Sequence, residues 1–251
     1  MVTRTPNSMR RIGLFGGTFD PVHQGHIALA HAAQSALQLD ELRFLPAGQP
    51  WQKQTLSTSA VDRLAMLELA LAAEQQANWV CDSREIQRET QRQNQQSTPT
   101  YTIDTLRELR AEFGNTVSLV WLLGSDQLHN LPTWKAWTEL FDLAHFAYTD
   151  RVDEAFSNHA SPAPAAATAA PAWLSARLVS ALPNTPAGSV VHFPMPAMPI
   201  SSTQIRLQIR TQLGTLTASP STNLGLTHQN LLVAPTVLHY IQQHQLYIQP
   251  L

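Results

Sequence analysis

Residues Val117–Leu123 read VSLVWLL, one small polar side chain among six large apolar ones. A strand apolar on both faces has no side to give to water. It belongs in the middle of a sheet that helices cover from above and below. The chain around it supplies the rest of such a structure. Strands are expected at Arg11–Phe15, Glu41–Pro46, Trp79–Ile86, His145–Tyr148 and Ser189–Phe193. Helical spacing of apolar residues predicts a helix over Gln24–Leu39, with Ile27, Ala30 and Leu37 on one face. A second is expected over Ser59–Glu74, striped by Leu64, Leu67 and Leu71, with Ser57, Thr58 and Ser59 as N-cap candidates. Tyr101–Phe113 should be a third, ended by Gly114, and a short one is expected around Lys135–Leu143. Ser201–Leu213 and Pro235–Gln245 predict two closing helices. Strands and helices alternating at this spacing imply an α/β fold. It is a doubly wound, Rossmann-like parallel sheet with a small C-terminal helical part.

The length of 251 residues fits one large α/β domain or two small ones, and 43% hydrophobic residues can fill a sizeable core. We read 1–251 as a single domain. Residues 151–186 break the alternation with the low-complexity run SPAPAAATAAPAW, read as either a flexible insertion or a partly helical surface appendage. A Gln-rich stretch over 87–97 reads as a mobile loop. Cys81 is the only cysteine, so an internal disulfide framework and a Cys-rich zinc site are excluded, and a reducing compartment is suited. The formal charge of -2 speaks against a broad basic surface for nucleic acid. No apolar run nears the roughly 18 residues of a membrane span. The N-terminal MVTRTPNSMRR lacks the apolar stretch of a signal peptide. A cytoplasmic location with no membrane partner is the expectation, and a homo-oligomer is compatible with it.

In doubly wound sheets, ligands sit beyond the carboxyl ends of the strands. Three loop-forming segments fall at such ends: Gly16-Gly17, Pro46-Ala47-Gly48 and Gly124-Ser125-Asp126. The first opens into GLFGGTFDPVHQGH, residues 13–26. Glycines at a strand-to-helix turn let backbone N–H groups approach an anion. The helix starting near Gln24 aims the positive end of its dipole at the same place. His23 and His26, three apart, can face one pocket, and Gly25 between them removes a side chain that would obstruct a ligand. These features describe a phosphate cradle with two imidazole donors. A plain glycine turn is one alternative, and a pair of metal ligands is another, although no Cys or carboxylate cluster completes a metal site. The pattern is neither the G-x-G-x-x-G dinucleotide fingerprint nor a P-loop.

A second anion grip is legible in ISSTQIR, residues 200–206. Ser202 and Thr203 are N-cap candidates, and first-turn N–H groups are free to bind an anion. Arg206, four residues after Ser202, shares that face. The alternative is an ordinary capped helix with a solvent-facing arginine.

Together, GGTFDPVHQGH and ISSTQIR resemble the two signatures of the H-x-G-H nucleotidyltransferase superfamily. The long first form is similar to that of the nicotinate-mononucleotide adenylyltransferases. The resemblance runs on through TYTIDTL (100–106), LLGSDQL (122–128), LPTWKAW (131–137) and the tail LLVAPTVLHYIQQHQLY. It implies adenylyl transfer from ATP to nicotinate mononucleotide, giving deamido-NAD and pyrophosphate. His23, His26 and Arg206 would be catalytic. Gly16, Gly17, Thr18, Ser202 and Thr203 would hold phosphates, joined by Lys53 from the turn QPWQK, where the family more often has Pro-Pro-His-Lys. Trp134 would stack on the nicotinate ring, backbone amides near Thr102 and Lys135 would receive its carboxylate, and Asp126 would line the same pocket. Trp137 reads as core. Asp20 reads as a turn-former beside Pro21, and Arg63 falls where the family's next helix carries an arginine. Mg²⁺ would be carried mainly on the ATP phosphates, with no dedicated metal ligand in the protein. The rival readings are the same chemistry on nicotinamide mononucleotide, a shorter pantetheine-phosphate type of enzyme, and a regulator that binds nucleotide without turnover.

Overall fold

The computed structural model describes residues 8–49, 56–91, 99–150, 170–196, 198–216 and 232–248. Seven strands form one sheet in the order β3-β2-β1-β4-β5-β7-β6. They are β1 (Arg10–Gly17), β2 (Glu41–Pro46), β3 (Trp79–Cys81), β4 (Val117–Gly124), β5 (His145–Thr149), β6 (Leu178–Val179) and β7 (Val190–His192). The apolar run is β4, buried from Val117 through Leu123 and inside the sheet as its composition requires. It pairs in parallel with β1, Arg10 opposite Val117, and with β5, Val120 opposite His145. The pairings β5–β7 and β6–β7 are parallel too. Strand order turns back on itself between β1 and β4, the position where an open α/β sheet leaves a crevice for ligands.

Nine helices are described: α1 (Gln24–Leu37), α2 (Ala60–Glu74), α3 (Arg84–Gln91), α4 (Thr102–Phe113), α5 (Ser125–Asn130), α6 (Leu140–Leu143), α7 (Ala172–Ser175), α8 (Ser202–Leu216) and α9 (Pro235–Gln243). Of the three candidate caps of α2, Ser59 does the work: its Oγ accepts the Asp62 N–H at 3.1 Å. α4 stops at Gly114, whose φ of +63° favours glycine although an added Cβ would meet nothing. The chain divides into two compact units. One holds Met1–Gly16, Leu29–Arg43 and Tyr101–Pro199; the other holds Gly17–Ala28, Phe44–Thr100 and Ile200–Leu251.

Three expectations are corrected. The strand expected over Trp79–Ile86 ends at Cys81, because Asp82 intervenes. Its carboxylate accepts the Arg84 N–H at 3.2 Å and the Arg84 guanidinium at 2.8–3.0 Å, which starts a helix. Ile86 is buried from α3, and residues 87–91 of the expected loop are helical; 92–97 lie outside the described residues. The helix expected from Lys135 is confined to Leu140–Leu143, since Trp134 is extended and Ala136 is left-handed at φ 51°. Ser125–Asn130 forms the unforeseen helix α5 instead. Finally, 151–169 of the expected insertion lie outside the described residues, and the part from 170 onward is partly helical and packs on the fold rather than standing off as an appendage. Trp173 of α7 packs 5.4 Å from Trp137 and 6.0 Å from Phe141, Arg177 sits 4.6 Å over the Phe141 ring, and β6 adds to the sheet. Trp137 is thus part of an aromatic cluster, in keeping with a core role.

His145 gives this unit a pH dependence. It is fully buried, its Nε2 bonded to the Thr185 carbonyl at 2.8 Å and its Nδ1 accepting the Ser189 N–H at 3.1 Å. Those roles require the neutral ring. Burial pushes its pKa below the ordinary 6.5; the Thr185 bond opposes that, and Arg11 and Arg110 add to it. The stabilisation is therefore complete above the unfolded pKa and is lost as pH falls below it toward the depressed folded value. The thermal midpoint should fall between pH 7 and pH 5, and His145→Gln should flatten that slope. Identical slopes in the two proteins would rule His145 out as the source.

Candidate active site

β1 delivers Gly16 and Gly17 to the strand end. A Cβ on Gly16 would come within 2.5 Å of the Trp121 indole of β4, and one on Gly17 within 3.0 Å of the Phe19 ring. Gly16 is needed for packing before any ligand is considered, whereas at Gly17 the Phe19 ring would have to give by a few tenths of an ångström. Ala47 N–H donates to the Gly17 carbonyl at 2.8 Å. Beneath the turn lies Arg63, fully buried on α2, donating to the Thr18 and Gly48 carbonyls at 2.9 Å each. Burial pulls its pKa down, and the negative charges of Asp20 and Glu89 work against that pull.

His23 is 3% exposed and lies just before α1, with its ring centroid 3.7 Å from that of His26. The His23 N–H donates to His26 Nδ1 at 3.2 Å, and the edge of Phe19 packs 5.0 Å from the same ring. With Nδ1 used as an acceptor, a neutral His26 carries its proton on Nε2 and can donate there. Gly25 is required for a different reason from the expected one. A Cβ there would approach the Ile200 side chain at 2.9 Å and the His23 ring at 3.0 Å, so these neighbours claim the space. The first N–H of α1 is already used: Gln24 N–H donates to the Leu232 carbonyl at 2.8 Å.

The cap of α8 is Ser201, not Ser202 or Thr203. Ser201 N–H donates to Gln204 Oε1 at 2.8 Å and Gln204 N–H returns to Ser201 Oγ at 3.3 Å, a reciprocal capping box. Ser202 Oγ instead donates to the Pro21 carbonyl at 3.0 Å. Arg206 does not simply face solvent: it donates to the Asp20 carbonyl at 2.7 Å and to Thr203 Oγ1 at 3.2 Å. Both signatures are therefore fastened to one another at the Asp20-Pro21 step. Asp20 itself is 2% exposed, and its carboxylate accepts from Ser57 N–H at 3.0 Å, Thr58 Oγ at 2.8 Å and Tyr247 Oη at 2.8 Å.

The residues expected near a pyridine belong to the other unit. Thr102 opens α4, and Lys135 holds its ammonium 4.4 Å over the Tyr101 ring and 4.0 Å from Asp104. Asp126 lies in the first turn of α5 with Oδ2 bonded to Gln127 at 2.9 Å. Among the described residues, its buried Oδ1 and the buried Trp134 Nε1 meet no hydrogen-bond partner. Two half-buried side chains with unsatisfied polar atoms are consistent with a place where a ligand supplies the missing partners. Lys53 lies outside the described residues. Among those described, no three His, Cys, Asp or Glu side chains converge to hold a metal ion. No helix among them is long and apolar enough to cross a membrane.

Sequence reasoning does not foresee the bonds that three residues of this network make: it reads Asp20 only as a turn-former, Arg63 only as a position of the family's next helix, and Tyr247 only as part of the tail. Arg63 carries a legible signal, an arginine on the same helical stripe as the buried Met66, Leu67 and Ala70. Asp20 and Tyr247 carry none, since 227 residues separate them.

The cytidylyltransferase-like family matches residues 14–208. A protein of Chromobacterium violaceum named "Probable nicotinate-nucleotide adenylyltransferase" is 38% identical over 239 residues, covering 94% of this chain and 98% of its own. One of the same name from Herminiimonas arsenicoxydans is 39% identical over 243 residues, with 95% and 97% covered. The structure of Plasmodium falciparum nicotinic acid mononucleotide adenylyltransferase complexed with NaAD superposes with a TM-score of 0.59 at 16% identity, covering 95% of this chain and 97% of that one. That likeness speaks for the Rossmann-like fold. Similarity to relatives along nearly their whole length leaves one assignment: the chain belongs to the cytidylyltransferase-like family, among its nicotinate-nucleotide adenylyltransferases.

Proposed function

We propose that this chain joins ATP and nicotinate mononucleotide into deamido-NAD, releasing pyrophosphate, as one nucleotidyltransferase domain in the cytoplasm. A phosphate oxygen of the mononucleotide attacks the α-phosphorus in line, and the bond from that phosphorus to the bridging oxygen of the β-phosphate breaks. The nucleophile is already anionic, so no covalent enzyme intermediate is required. The protein's contribution is position and charge. The observation that carries this reading is the joining of the two signatures at Asp20-Pro21, with the His23–His26 pair on one side and Arg206 on the other.

In this reading His26 donates from Nε2 to the transferring group, and His23 stands beside it. Gly16, Gly17 and Thr18 line the reacting phosphates, with Lys53 as a further contact. Ser202, Thr203 and Arg206 hold the β- and γ-phosphates as pyrophosphate leaves. Trp134 stacks on the electron-poor pyridine, the amides near Thr102 and Lys135 receive its carboxylate, and Asp126 lines that pocket. A Mg²⁺ would be carried by the substrate phosphates, since the Asp20 carboxylate is occupied by three hydrogen bonds. Such an ion would draw off charge from the phosphate oxygens.

Pyrophosphate release is to be measured with ATP and Mg²⁺, comparing nicotinate mononucleotide with its amide. A large preference for the acid is expected. Equal rates, or a preference for the amide, would retain adenylyl transfer and overturn the roles of Thr102, Trp134 and Lys135. Release with neither acceptor would reject the reading.

A further inference from the structure

We propose that Asp20 is a positioning residue for Arg206, and that Tyr247 fixes Asp20 so that it can serve as one. The inference rests on the reading of Arg206 as a holder of the ATP phosphates. Arg206 reaches the turn through the Asp20 backbone carbonyl, at 2.7 Å. The direction of that carbonyl therefore sets where the guanidinium sits. The carbonyl is aimed by the Asp20 side chain, which three donors hold: Ser57 N–H, Thr58 Oγ and Tyr247 Oη.

The backbone on both sides of this contact is unusual. Phe19, just before Asp20, is left-handed at φ 48°. Tyr247 is left-handed at φ 68°, and Gln245 at φ 52°. Non-glycine residues avoid this region, and they keep it where the surroundings demand a particular direction from a side chain. What the C-terminal turn achieves is the burial of one hydroxyl, 6% exposed as a residue, against one carboxylate. Burial and the Asp20 charge both push the Tyr247 pKa far up, so the hydroxyl remains a donor at any working pH. A core aromatic with only a packing role would not need the oxygen.

Tyr247→Phe removes that oxygen and retains the ring. Steady-state pyrophosphate release would be measured with each substrate varied, in wild type, Tyr247→Phe, Arg206→Ala and the double variant. The expected result for Tyr247→Phe is a KM for ATP raised about five- to twentyfold, kcat within about threefold, and an unchanged KM for the mononucleotide. In the Arg206→Ala background the same change should have no further effect on the KM for ATP. Asp20→Asn, which retains shape but puts an amide among donors, should reproduce the split, with urea midpoints reported for every variant. Equal effects of Tyr247→Phe with and without Arg206 would overturn the proposal and leave Arg206 its role. If Arg206→Ala itself leaves the KM for ATP unmoved, the reading of Arg206 fails, and the proposal falls with it.

Discussion

Replacing His26 by alanine is expected to lower kcat by on the order of a hundredfold or more, the scale of removing one donor from a developing charge. The geometry behind this is specific. His26 Nδ1 is tied to the His23 N–H, so the ring cannot turn over without losing that bond, and a neutral ring then carries its proton on Nε2. The His23 ring at 3.7 Å and the Phe19 edge at 5.0 Å hold it from both sides. A donor fixed in advance acts without reorganising during the reaction, and that is where its effect on rate arises. The fold should persist, because the deeper residues of α1, such as Ala30, Ala33 and Leu37, are untouched. Stopped assays of pyrophosphate at saturating substrates would give kcat, and circular dichroism would check the fold. Activity within a few-fold of wild type would remove His26 from the phosphates.

Arg63→Met should destabilise the protein by about 3 kcal/mol, within the range for breaking a buried charge network. The side chain is fully buried and donates to two carbonyls from different loops, Thr18 and Gly48. Methionine can fill much of the volume but returns neither bond, and it leaves the nearby negative charges of Asp20 and Glu89 without their compensating cation. For a chain of this size the thermal midpoint should drop by about 6–12 °C. A urea midpoint lowered at constant slope would confirm lost stability over altered compactness. An unchanged midpoint would show that the two carbonyls find other partners. Because Thr18 lies in the first signature, activity well below the melting range should fall too.

What the sequence discloses and what it hides follow from the range of the forces involved. β4 is legible because burial on both faces demands apolar residues at every position. The two signatures are legible because a tight turn and an anion grip need particular residues at fixed spacing. The end of β3 is not, since a single Asp82 carboxylate capping Arg84 outweighs the apolar character of Ile86. The start of α8 is ambiguous, because Ser201 and Ser202 are equally good caps until Gln204 chooses the first. Ala136 gives no warning of its left-handed backbone. Trp173 is a signal within an Ala/Pro background, and its contact with Trp137 is what makes sense of it. The bonds that join Asp20 to Arg206 and Tyr247 have no local signature at all, since their partners lie 186 and 227 residues apart.

Those separations have a consequence for how the protein is made. On a nascent chain the imidazole pair is made well before β4, yet β1 must wait for β4, since Arg10 pairs with Val117. The turn bearing Asp20 waits longer, first for Arg206 and last for Tyr247. Slow, long-distance closure of this kind exposes a chain to misfolding. It also means that the nucleotide grip takes shape only once the chain has been made through Arg206 and Tyr247, so a copy that stops short of them holds the histidines without the arginine that would let them engage a triphosphate.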